Sequence, residues 1–310
     1  MNSKLQSLWF EKYRPKTVKE YVFKNKQLEK IVNGFIEEQS FGHLILAGPP
    51  GTGKTSLAKM LINETNVEDA DVLYINASKD NGVDMIRQKV TAFSQTMPWG
   101  RFKVILLDEA DYMTPEGQAA LRSAMEMYAE SVRFILTCNY PDRLIPAMFS
   151  RSQLVHLDTL DETDFSVRVA EILVAEGVEF DLGVFDNYMK VSYPDLRKAI
   201  NIVQLNTVNG ILEAPTQEDA STNWKFEMID LFKNKQYRAA RQHIIKNIRY
   251  DEYVETFKFL YQNLELFGEN EDIQDQAVVI IRDGLVRHSM IADPEINLSA
   301  TIIELEQLQK

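Results

Sequence analysis

The sequence predicts an α/β protein in which helices cover both faces of a parallel sheet, followed by a helical second half. Strand-like apolar runs alternate with helical patterns through residues 25–157, which is typical of such a sheet. After Asp158 no further strand pattern is found, so the rest of the chain is expected to be helical. A chain of 310 residues exceeds one simple core and favours two or three domains.

The elements follow one another in a regular order. The predicted strands are 43–47, 72–75, 103–107, 133–137 and 154–157. The helices between them are predicted near 25–38, from Ser56 onward, at 82–96 and at 115–128. Three further helices, separated at Gly177 and Pro194, are predicted at 161–176, 181–192 and 194–208. Residues 213–219 read as a linker, and the chain is predicted to be helical again from about 222.

A glycine-rich loop joins the first predicted strand to a helix. Residues 48–55 read Gly-Pro-Pro-Gly-Thr-Gly-Lys-Thr, directly after an apolar run. Glycines let the backbone curl closely around phosphates, and the loop N–H groups and the helix N-terminus then face the anion. Lys54 can reach the β and γ phosphates, and Thr55 can ligate Mg²⁺. The expected nucleotide-binding residues of this loop are Gly51, Thr52, Gly53, Lys54, Thr55 and Ser56.

A pair of carboxylates ends a later strand and adds the chemistry of hydrolysis. Residues 104–107 form a continuous apolar run, typical of a strand buried on both faces, and Asp108-Glu109 follow it. Strand ends in such sheets point at the ligand crevice. Asp108 is expected to hold the Mg²⁺ shell, and Glu109 is expected to polarise the attacking water.

Composition and charge limit the possible classes of protein. No apolar run approaches the ~20 residues of a membrane span, and the start lacks the apolar core of a signal peptide. The one cysteine, Cys138, excludes an intrachain disulfide and a cysteine-rich zinc site and favours an intracellular location. The net charge of −12 arises entirely in residues 151–310, where 16 basic residues meet 28 acidic ones. This charge argues against nucleic acid wrapping the whole surface.

Further motifs carry a family resemblance. The loop and Asp108-Glu109 are joined by Thr137-Cys138-Asn139, Ser150-Arg151-Ser152, the run 194–199 (Pro-Asp-Leu-Arg-Lys-Ala) and the start segment 9–15 (Trp-Phe-Glu-Lys-Tyr-Arg-Pro). Over roughly residues 8–210 the chain resembles the AAA+ sliding-clamp loader subunits. It is similar both to the small subunits of cellular replication factor C and to the large clamp-loader subunit of T-even-type phages. The short chain and small helical tail favour the phage type, which would place the protein in the host cytoplasm.

The resemblance implies a fold and roles for individual residues. The fold would comprise a P-loop AAA+ domain (1–157), a three-helix lid (158–212) and an all-α, collar-type oligomerisation domain (213–310). Asn139 resembles the sensor of the γ phosphate. Arg151 resembles an arginine finger offered to the ATP of a neighbouring subunit, although the family usually has cysteine where Ser152 stands. Arg197 resembles the second sensor, and Lys12, Tyr13 and Val22 fall where the family encloses the adenine.

The resemblance also implies partners. The segment 76–87 matches the part of the family that lines the DNA chamber, with Ser78, Lys79, Arg87 and Lys89 as candidate phosphate contacts. The family commonly has a basic residue where Asn81 stands, and Lys79 is a candidate substitute. Met97 and Trp99 lie on a turn at the edge that meets the sliding clamp in the family, whereas Phe93 is expected to cover the core. The implied assembly is a pentameric hetero-oligomer with several copies of this chain.

Three functions remain open from the sequence. The first is a clamp-loader ATPase, in which ATP assembles a spiral that opens the ring clamp and hydrolysis on primer–template DNA releases it. The second is a binding subunit that uses ATP mainly as a structural ligand. Intact Lys54, Glu109 and Arg151 favour the first. The third is an AAA+ ATPase acting on another nucleic-acid or protein substrate.

Overall fold

The structure is a computed structural model that describes residues 8–214, 223–248, 252–268, 270–288, 290–291 and 293–308. The chain divides into two compact units. The first contains the chain up to Ile172 together with Pro194–Asn201, and the second contains Leu173–Tyr193 and the chain from Ile202 onward.

A parallel five-stranded sheet forms the centre of the first unit. Its strands lie in the order β2-β3-β4-β1-β5, and every neighbouring pair is parallel. They are β1 (Leu44–Ala47), β2 (Val72–Asn76), β3 (Lys103–Asp108), β4 (Val132–Cys138) and β5 (Gln153–His156). Because β1 lies between β4 and β5, the loop after β1 is next to the carboxyl ends of β4 and β5. The parallel sheet predicted from alternating strand and helix patterns is therefore confirmed.

Helices cover both faces of this sheet, as predicted. Alternate residues of β1 and β3 enter two different cores, because successive side chains of a strand point to opposite faces. On one face the core includes residues of α2 (Lys26–Glu37) and α3 (Lys54–Glu64). On the other face it includes residues of α6 (Pro115–Met127). All four side chains of β1 are fully buried, and burying each leucine or isoleucine contributes ~1.5–3 kcal/mol.

Shorter helices complete the first unit. They are α1 (Trp9–Lys12), α4 (Val83–Met85), α5 (Thr91–Gln95) and α7 (Pro146–Phe149). The helix predicted at 82–96 is interrupted, because the turn Ile86–Val90 between α4 and α5 is π-helical. This turn buries Ile86 and Val90 against the core and leaves Arg87 and Lys89 exposed.

The remaining helices are those of the second half of the chain. They are α8 (Glu162–Ala175), α9 (Leu182–Ser192), α10 (Leu196–Leu205), α11 (Asn223–Lys233), α12 (Tyr237–Asn247), α13 (Tyr253–Gln262), α14 (Glu271–His288) and α15 (Pro294–Gln307). In the second unit α11 packs against α12, and α14 packs against α13 and α15. Phe232 and Phe267 meet edge to face at 5.4 Å inside this packing. Most of the predicted linker lies outside the described residues.

The expectation that no strand follows Asp158 is wrong. Two short antiparallel strands, β6 (Thr207–Val208) and β7 (Ile211–Leu212), pair around Asn209-Gly210. Both turn residues have positive φ, 51° and 80°, which suits the tight hairpin turn that Asn-Gly favours. Two-residue strands are too short to show alternation. The predicted helix 194–208 therefore extends beyond Leu205, where α10 ends. The Asn-Gly pair was the available signal.

The predicted domain division at 157/158 and 212/213 differs from the compact units. The beginnings of α8 and α10 belong to the first unit, because Phe165, Arg168, Arg197 and Ile200 line a cavity together with the glycine-rich loop. The three-domain division stays a prediction.

Within the described part of the chain, no helix combines the length and apolar composition that crossing a membrane requires.

Candidate functional site

The glycine-rich loop has the backbone conformation that its glycines allow. Gly51 and Gly53 have φ values of 81° and 84°, a region that side chains with a Cβ rarely adopt. A Cβ on Gly51 would lie 2.4 Å from Asp195 Oδ1, and one on Gly53 would lie 3.2 Å from the Tyr21 hydroxyl. Burial raises the pKa of that tyrosine. The loop therefore needs glycine for both its conformation and its close neighbours.

Lys54 begins α3 and lies inside the loop. Its Nζ donates hydrogen bonds to the backbone oxygens of Gly48 and Pro49, at 2.8 and 2.7 Å. The side chain is buried, and this burial lowers the pKa of the ammonium, an effect that the charges of Asp111 and Asp108 oppose. The loop thus holds a partly desolvated cation at the N-terminus of a helix, where anions bind favourably.

A hydrogen-bonded chain connects three elements at the carboxyl end of the sheet. The hydroxyl of Thr55, on α3, donates to Asp108 Oδ1 at 2.8 Å. The hydroxyl of Thr137, on β4, donates to the same oxygen at 2.5 Å and accepts the backbone N–H of Glu109 at 3.0 Å. Thr137 is buried, and its hydroxyl holds Asp108 through its side chain and Glu109 through its backbone N–H. Sequence reasoning assigned it no role.

Glu109 has a strained backbone. Its φ of 60° lies in the left-handed region, which is uncommon for residues other than glycine and is often found at functional sites. The bonds to neighbouring strands hold this conformation. Next to it, the buried carboxylate of Asp111 accepts the backbone N–H of Tyr140 at 3.2 Å, which joins this turn to the segment containing Asn139.

The loop, the strand ends and the beginnings of α8 and α10 line one cavity of the first unit. Predicted residues in its lining are Tyr13, Val22, Gly51, Thr52, Gly53, Lys54, Thr55, Ser56, Asp108, Glu109, Asn139 and Arg197. Lys12 is not part of the lining. Its ammonium lies 5.1 Å from the centre of the ring of Tyr13, which does line the cavity. The structure thus brings the predicted lining residues together, and their roles stay predictions.

Several lining residues were missed by sequence reasoning. Besides Thr137 and Tyr21, the cavity is lined by Phe10, Arg14 and Arg168. Arg168, on α8, donates to the backbone oxygen of Tyr13 at 3.2 Å. Arg14 lies in the start segment, so that motif could have indicated its place at the site. No sequence pattern indicated Arg168, because an arginine on an amphipathic helix is not distinctive.

Arg197 lies on the first turn of α10 and lines the cavity. Its guanidinium lies 5.8 Å from the centre of the Phe10 ring, a distance compatible with a cation–π contact. Asp195, just before this helix, accepts the backbone N–H of Lys198 at 3.1 Å and also approaches Gly51. The start of α10 is therefore held against the glycine-rich loop.

The oxygen donors of the cavity fit Mg²⁺. Thr55 and Asp108 supply a hydroxyl and a carboxylate 2.8 Å apart, which are hard oxygen ligands. Among the described residues, no group of three or more histidine, cysteine or acidic side chains could hold a metal ion. Mg²⁺ is usually bound through one or two protein ligands plus phosphates and water, so two oxygen donors beside a phosphate loop suit it.

Arg151 lies outside this cavity. It follows α7, and its Nε donates to Glu126 Oε1, on α6, at 2.6 Å. Its Nη1 donates to Ala147 O at 2.9 Å and to Ser150 Oγ at 2.8 Å. The hydroxyl of Ser152, which stands where the resembling family has cysteine, is buried and makes no hydrogen bond within the described structure. The geometry therefore keeps Arg151 away from the nucleotide site of its own subunit.

The candidate DNA contacts are all exposed. Ser78 bonds through its hydroxyl to Asn76 Oδ1 at 2.5 Å, and Lys89 pairs with Asp80 at 2.6 Å. Lys79 and Arg87 are exposed on the same segment. Asn81 is exposed too, and its backbone oxygen accepts the N–H of Thr114 at 3.2 Å.

The candidate clamp contacts are also exposed, and they stand on a firmly held turn. Met97 and Trp99 are 88% and 84% exposed. The fully buried carboxylate of Asp71 accepts the backbone N–H groups of Trp99 and Gly100, at 3.1 and 2.7 Å. Phe93 is half-buried and packs against the core, as expected. The turn thus presents two large apolar side chains from an ordered backbone.

The chain is similar to a defined group of known proteins. A family model described as "ATPase family associated with various cellular activities (AAA)" matches residues 44–157. The chain is 36% identical to the replication factor C small subunit of Sulfolobus acidocaldarius, over 96% of this chain and 95% of that protein. It is 40% identical to the replication factor C small subunit of Methanococcus maripaludis, over 69% of this chain and 68% of that protein.

Solved structures support the fold alone. The RuvB Holliday junction branch migration motor of Thermotoga maritima has a TM-score of 0.53 and 16% identity, over 94% of this chain and 90% of that one. A DNA polymerase III gamma subunit-related protein of the same organism has a TM-score of 0.51 and 15% identity, over 92% of this chain and 100% of that one. These similarities confirm the P-loop α/β architecture with added helices.

Proposed function

The chain belongs to the replication factor C small-subunit family of AAA+ clamp-loader ATPases, and from this premise we propose that it is an ATP-driven subunit that loads a ring-shaped sliding clamp onto primer–template DNA. ATP binding assembles several copies, with other loader subunits, into a spiral that opens the clamp. Hydrolysis on DNA releases the closed ring for processive replication. The pentameric assembly, the intracellular location and a phage source stay predictions.

One observation carries this proposal. A single hydrogen-bonded chain joins Thr55, Asp108 and Thr137, and it places Glu109 beside the phosphate loop in the same cavity. This arrangement supports a hydrolytic site more than a purely structural ligand site. A structural site needs the loop and the lysine but has no use for an acidic residue held on a strained backbone next to the phosphates.

We assign substrate binding to the loop and its neighbours. The backbone N–H groups from Gly51 to Ser56 surround the phosphates, and Lys54 neutralises the β and γ phosphates. Thr55 and Asp108 hold Mg²⁺, which would neutralise charge that develops on the phosphate oxygens. Tyr13 and Val22 enclose the adenine, and Arg197 approaches the phosphates from α10.

We assign the chemical step to Glu109 and Asn139. The Glu109 carboxylate accepts a proton from the attacking water, and Asn139 orients that water near the γ phosphate. The Thr137 hydroxyl keeps Glu109 in place through its backbone N–H. Arg151 supplies positive charge to the transition state of a neighbouring subunit. Its position outside the cavity of its own chain supports action in trans.

We assign partner recognition to the exposed edges. Lys79 and Arg87, with Ser78 and Lys89, contact the phosphate backbone of DNA, since exposed cations bind phosphates without reading the sequence. Met97 and Trp99 fill an apolar pocket of the clamp, which suits large side chains held on an ordered turn.

Reconstitution tests the proposal. The chain is purified with candidate loader subunits, and ATPase is measured with and without clamp and primed DNA. We expect stimulation by both. Replacing Met97 and Trp99 by alanine removes stimulation by the clamp and preserves the basal rate. Leu182→Ala, which removes another side chain that is 76% exposed, is the matched control and preserves both. An ATPase rate unaffected by clamp and DNA contradicts clamp loading and favours an AAA+ ATPase with another substrate.

The same assembly separates hydrolysis from structural use of ATP. Glu109→Gln keeps the shape of the side chain but cannot accept a proton, so we expect nucleotide binding to persist and turnover to fall by ~10²–10⁴-fold. Lys54→Ala weakens nucleotide binding itself. If the wild-type assembly binds ATP, clamp and DNA but turns over no faster than Glu109→Gln, ATP is a structural ligand in this subunit.

A further inference from the structure

Arg151 is held by a carboxylate of its own chain. We propose that Glu126 is a positioning residue for Arg151: it holds one edge of the guanidinium so that the group is aimed at the nucleotide of a neighbouring subunit. This inference rests on the proposed role of Arg151 in trans. It adds a residue on a different helix to the machinery that one subunit offers to another.

The contacts divide the guanidinium into two edges. Nε donates to Glu126 Oε1 at 2.6 Å, and Nη2 contacts the same oxygen. Nη1 donates to Ala147 O and Ser150 Oγ. A guanidinium has five N–H donors in a fixed plane, so fixing one edge also fixes the direction of the rest.

Both partners lie on the surface, which decides what Glu126 can do. The side chains of Arg151 and Glu126 are 32% and 48% exposed. A surface ion pair of this kind shifts an equilibrium by about five-fold at most, whereas an arginine finger contributes ~10³–10⁵-fold in rate. Glu126 is therefore too weak a partner to withhold the finger from a neighbouring phosphate. Its contribution is to orient the finger before and during that contact.

The elements suit this role. Glu126 lies in the last turn of α6, and α6 packs against α7, which directly precedes Arg151. Ser150 adds a second support, because its hydroxyl donates to Ala147 O at 3.0 Å and accepts from Arg151 Nη1. The finger thus stands between two packed helices with a support on each side, and a misplacement of about 1 Å is enough to cost ~10²-fold in rate.

The first test compares variants in the reconstituted assembly. Glu126→Ala lowers kcat by up to about five-fold, the limit set by the strength of a surface ion pair, and leaves KM for ATP unchanged, since the variant keeps its own nucleotide cavity. Glu126→Gln retains an accepting oxygen but no charge, so its loss is smaller. Glu130→Ala, which removes a nearby exposed carboxylate, is the matched control and leaves kcat unchanged. The double variant with Arg151→Ala is no worse than Arg151→Ala alone, because both changes remove the same contribution.

Mixed assemblies separate positioning from a structural defect. A Glu126→Ala chain mixed with a Lys54→Ala chain recovers activity, since the former supplies a site and the latter supplies a held finger. A chain carrying both substitutions, mixed with Arg151→Ala, recovers much less than Lys54→Ala does in the same mixture. A merely structural defect would instead impair the nucleotide site of the Glu126→Ala chain, so the first mixture would recover no activity.

Three results overturn the inference. If Glu126→Ala is as active as wild type while Arg151→Ala is inactive, the finger needs no carboxylate, and the proposed function stays intact. If a Glu126→Ala assembly hydrolyses ATP faster than wild type, Glu126 restrains the finger instead of positioning it. An Arg151→Ala assembly with full activity removes the finger itself, and in that case the proposed function fails at the same point.

Discussion

The nucleotide cavity and the partner-facing edges of the first unit are built in opposite ways. In the cavity, Thr55, Asp108 and Thr137 bond to one another, and the buried Lys54 bonds to the loop. On the edges, Lys79 and Arg87 stand exposed on one segment, and Met97 stands exposed on another. The cavity groups are bonded to one another within one chain, whereas the edge side chains are exposed and are proposed to bind DNA and the clamp.

This difference bears on how ATP hydrolysis is controlled. The cavity supplies every group that one chain can contribute to ATP, including the oriented Glu109. Arg151 is absent from that cavity and lies on the surface beside Glu126. If Arg151 acts on the nucleotide of a neighbouring subunit, as proposed, turnover depends on that neighbour, and hydrolysis is linked to correct assembly.

The largest expected effect tests this division directly. Arg151→Ala lowers the ATPase rate of the assembly by ~10³–10⁵-fold, because the transition state loses a charge-stabilising group. The chain measured alone, at a concentration too low for assembly, has a slow rate that this substitution does not change. Steady-state ATPase across protein concentrations is the measurement. A loss of equal size in the isolated chain would show that Arg151 acts within its own subunit.

A smaller loss is expected for the hydroxyl that holds the two acidic residues. Thr137→Val keeps the volume but leaves Asp108 and the Glu109 N–H without their shared partner, and hydrogen bonds to charged groups contribute ~1.5–3 kcal/mol. We expect kcat to fall by ~10–100-fold in both assembled and isolated chains, whereas Thr137→Ser stays close to wild type. Equal rates for the valine and serine variants would remove Thr137 from the site.

A further prediction concerns the edge proposed to bind DNA. Replacing Lys79 and Arg87 by alanine weakens DNA binding by the ATP-bound assembly, and it lowers the slope of log K against log salt by ~1 for each phosphate that is no longer neutralised. The basal ATPase rate stays unchanged, because neither residue lines the cavity. Arg282→Ala, an exposed arginine of the second unit, is the control. Binding and salt slope equal to wild type would show that DNA binds a different surface.

A last prediction concerns the buried thiol of the cavity and does not involve catalysis. Burial raises the pKa of Cys138 to about 12, whereas an ordinary cysteine has a pKa of ~8.5. The reactive thiolate is therefore ~10³-fold rarer at pH 8, and a thiol reagent modifies the folded chain at least that much more slowly than the chain in denaturant. The folded rate rises about ten-fold per pH unit toward 12. Similar rates in the folded and denatured chains at pH 8 would contradict a buried, closely packed cavity wall.

Much of the fold and site was predictable from local patterns. The strand before the loop, the glycines and Lys54-Thr55 are consecutive, so their roles follow from short-range geometry. Asp108 and Glu109 were predictable because a continuous apolar run identifies a buried strand, whose carboxyl end faces the ligand. The β6–β7 hairpin was missed although Asn209-Gly210 signalled it, because two-residue strands carry no periodicity.

The sequence by itself determined the phosphate loop and the carboxylate pair, each carried by consecutive residues, and the family resemblance implied a sensor asparagine and an arginine finger. Only the tertiary structure decided which distant residues support that chemistry. Thr137 reaches Asp108 because β3 and β4 are neighbours in the sheet, Arg168 reaches Tyr13 across 155 positions of sequence, and Glu126 reaches Arg151 because α6 packs against α7. Such contacts depend on packing between elements, and no spacing along the chain encodes them.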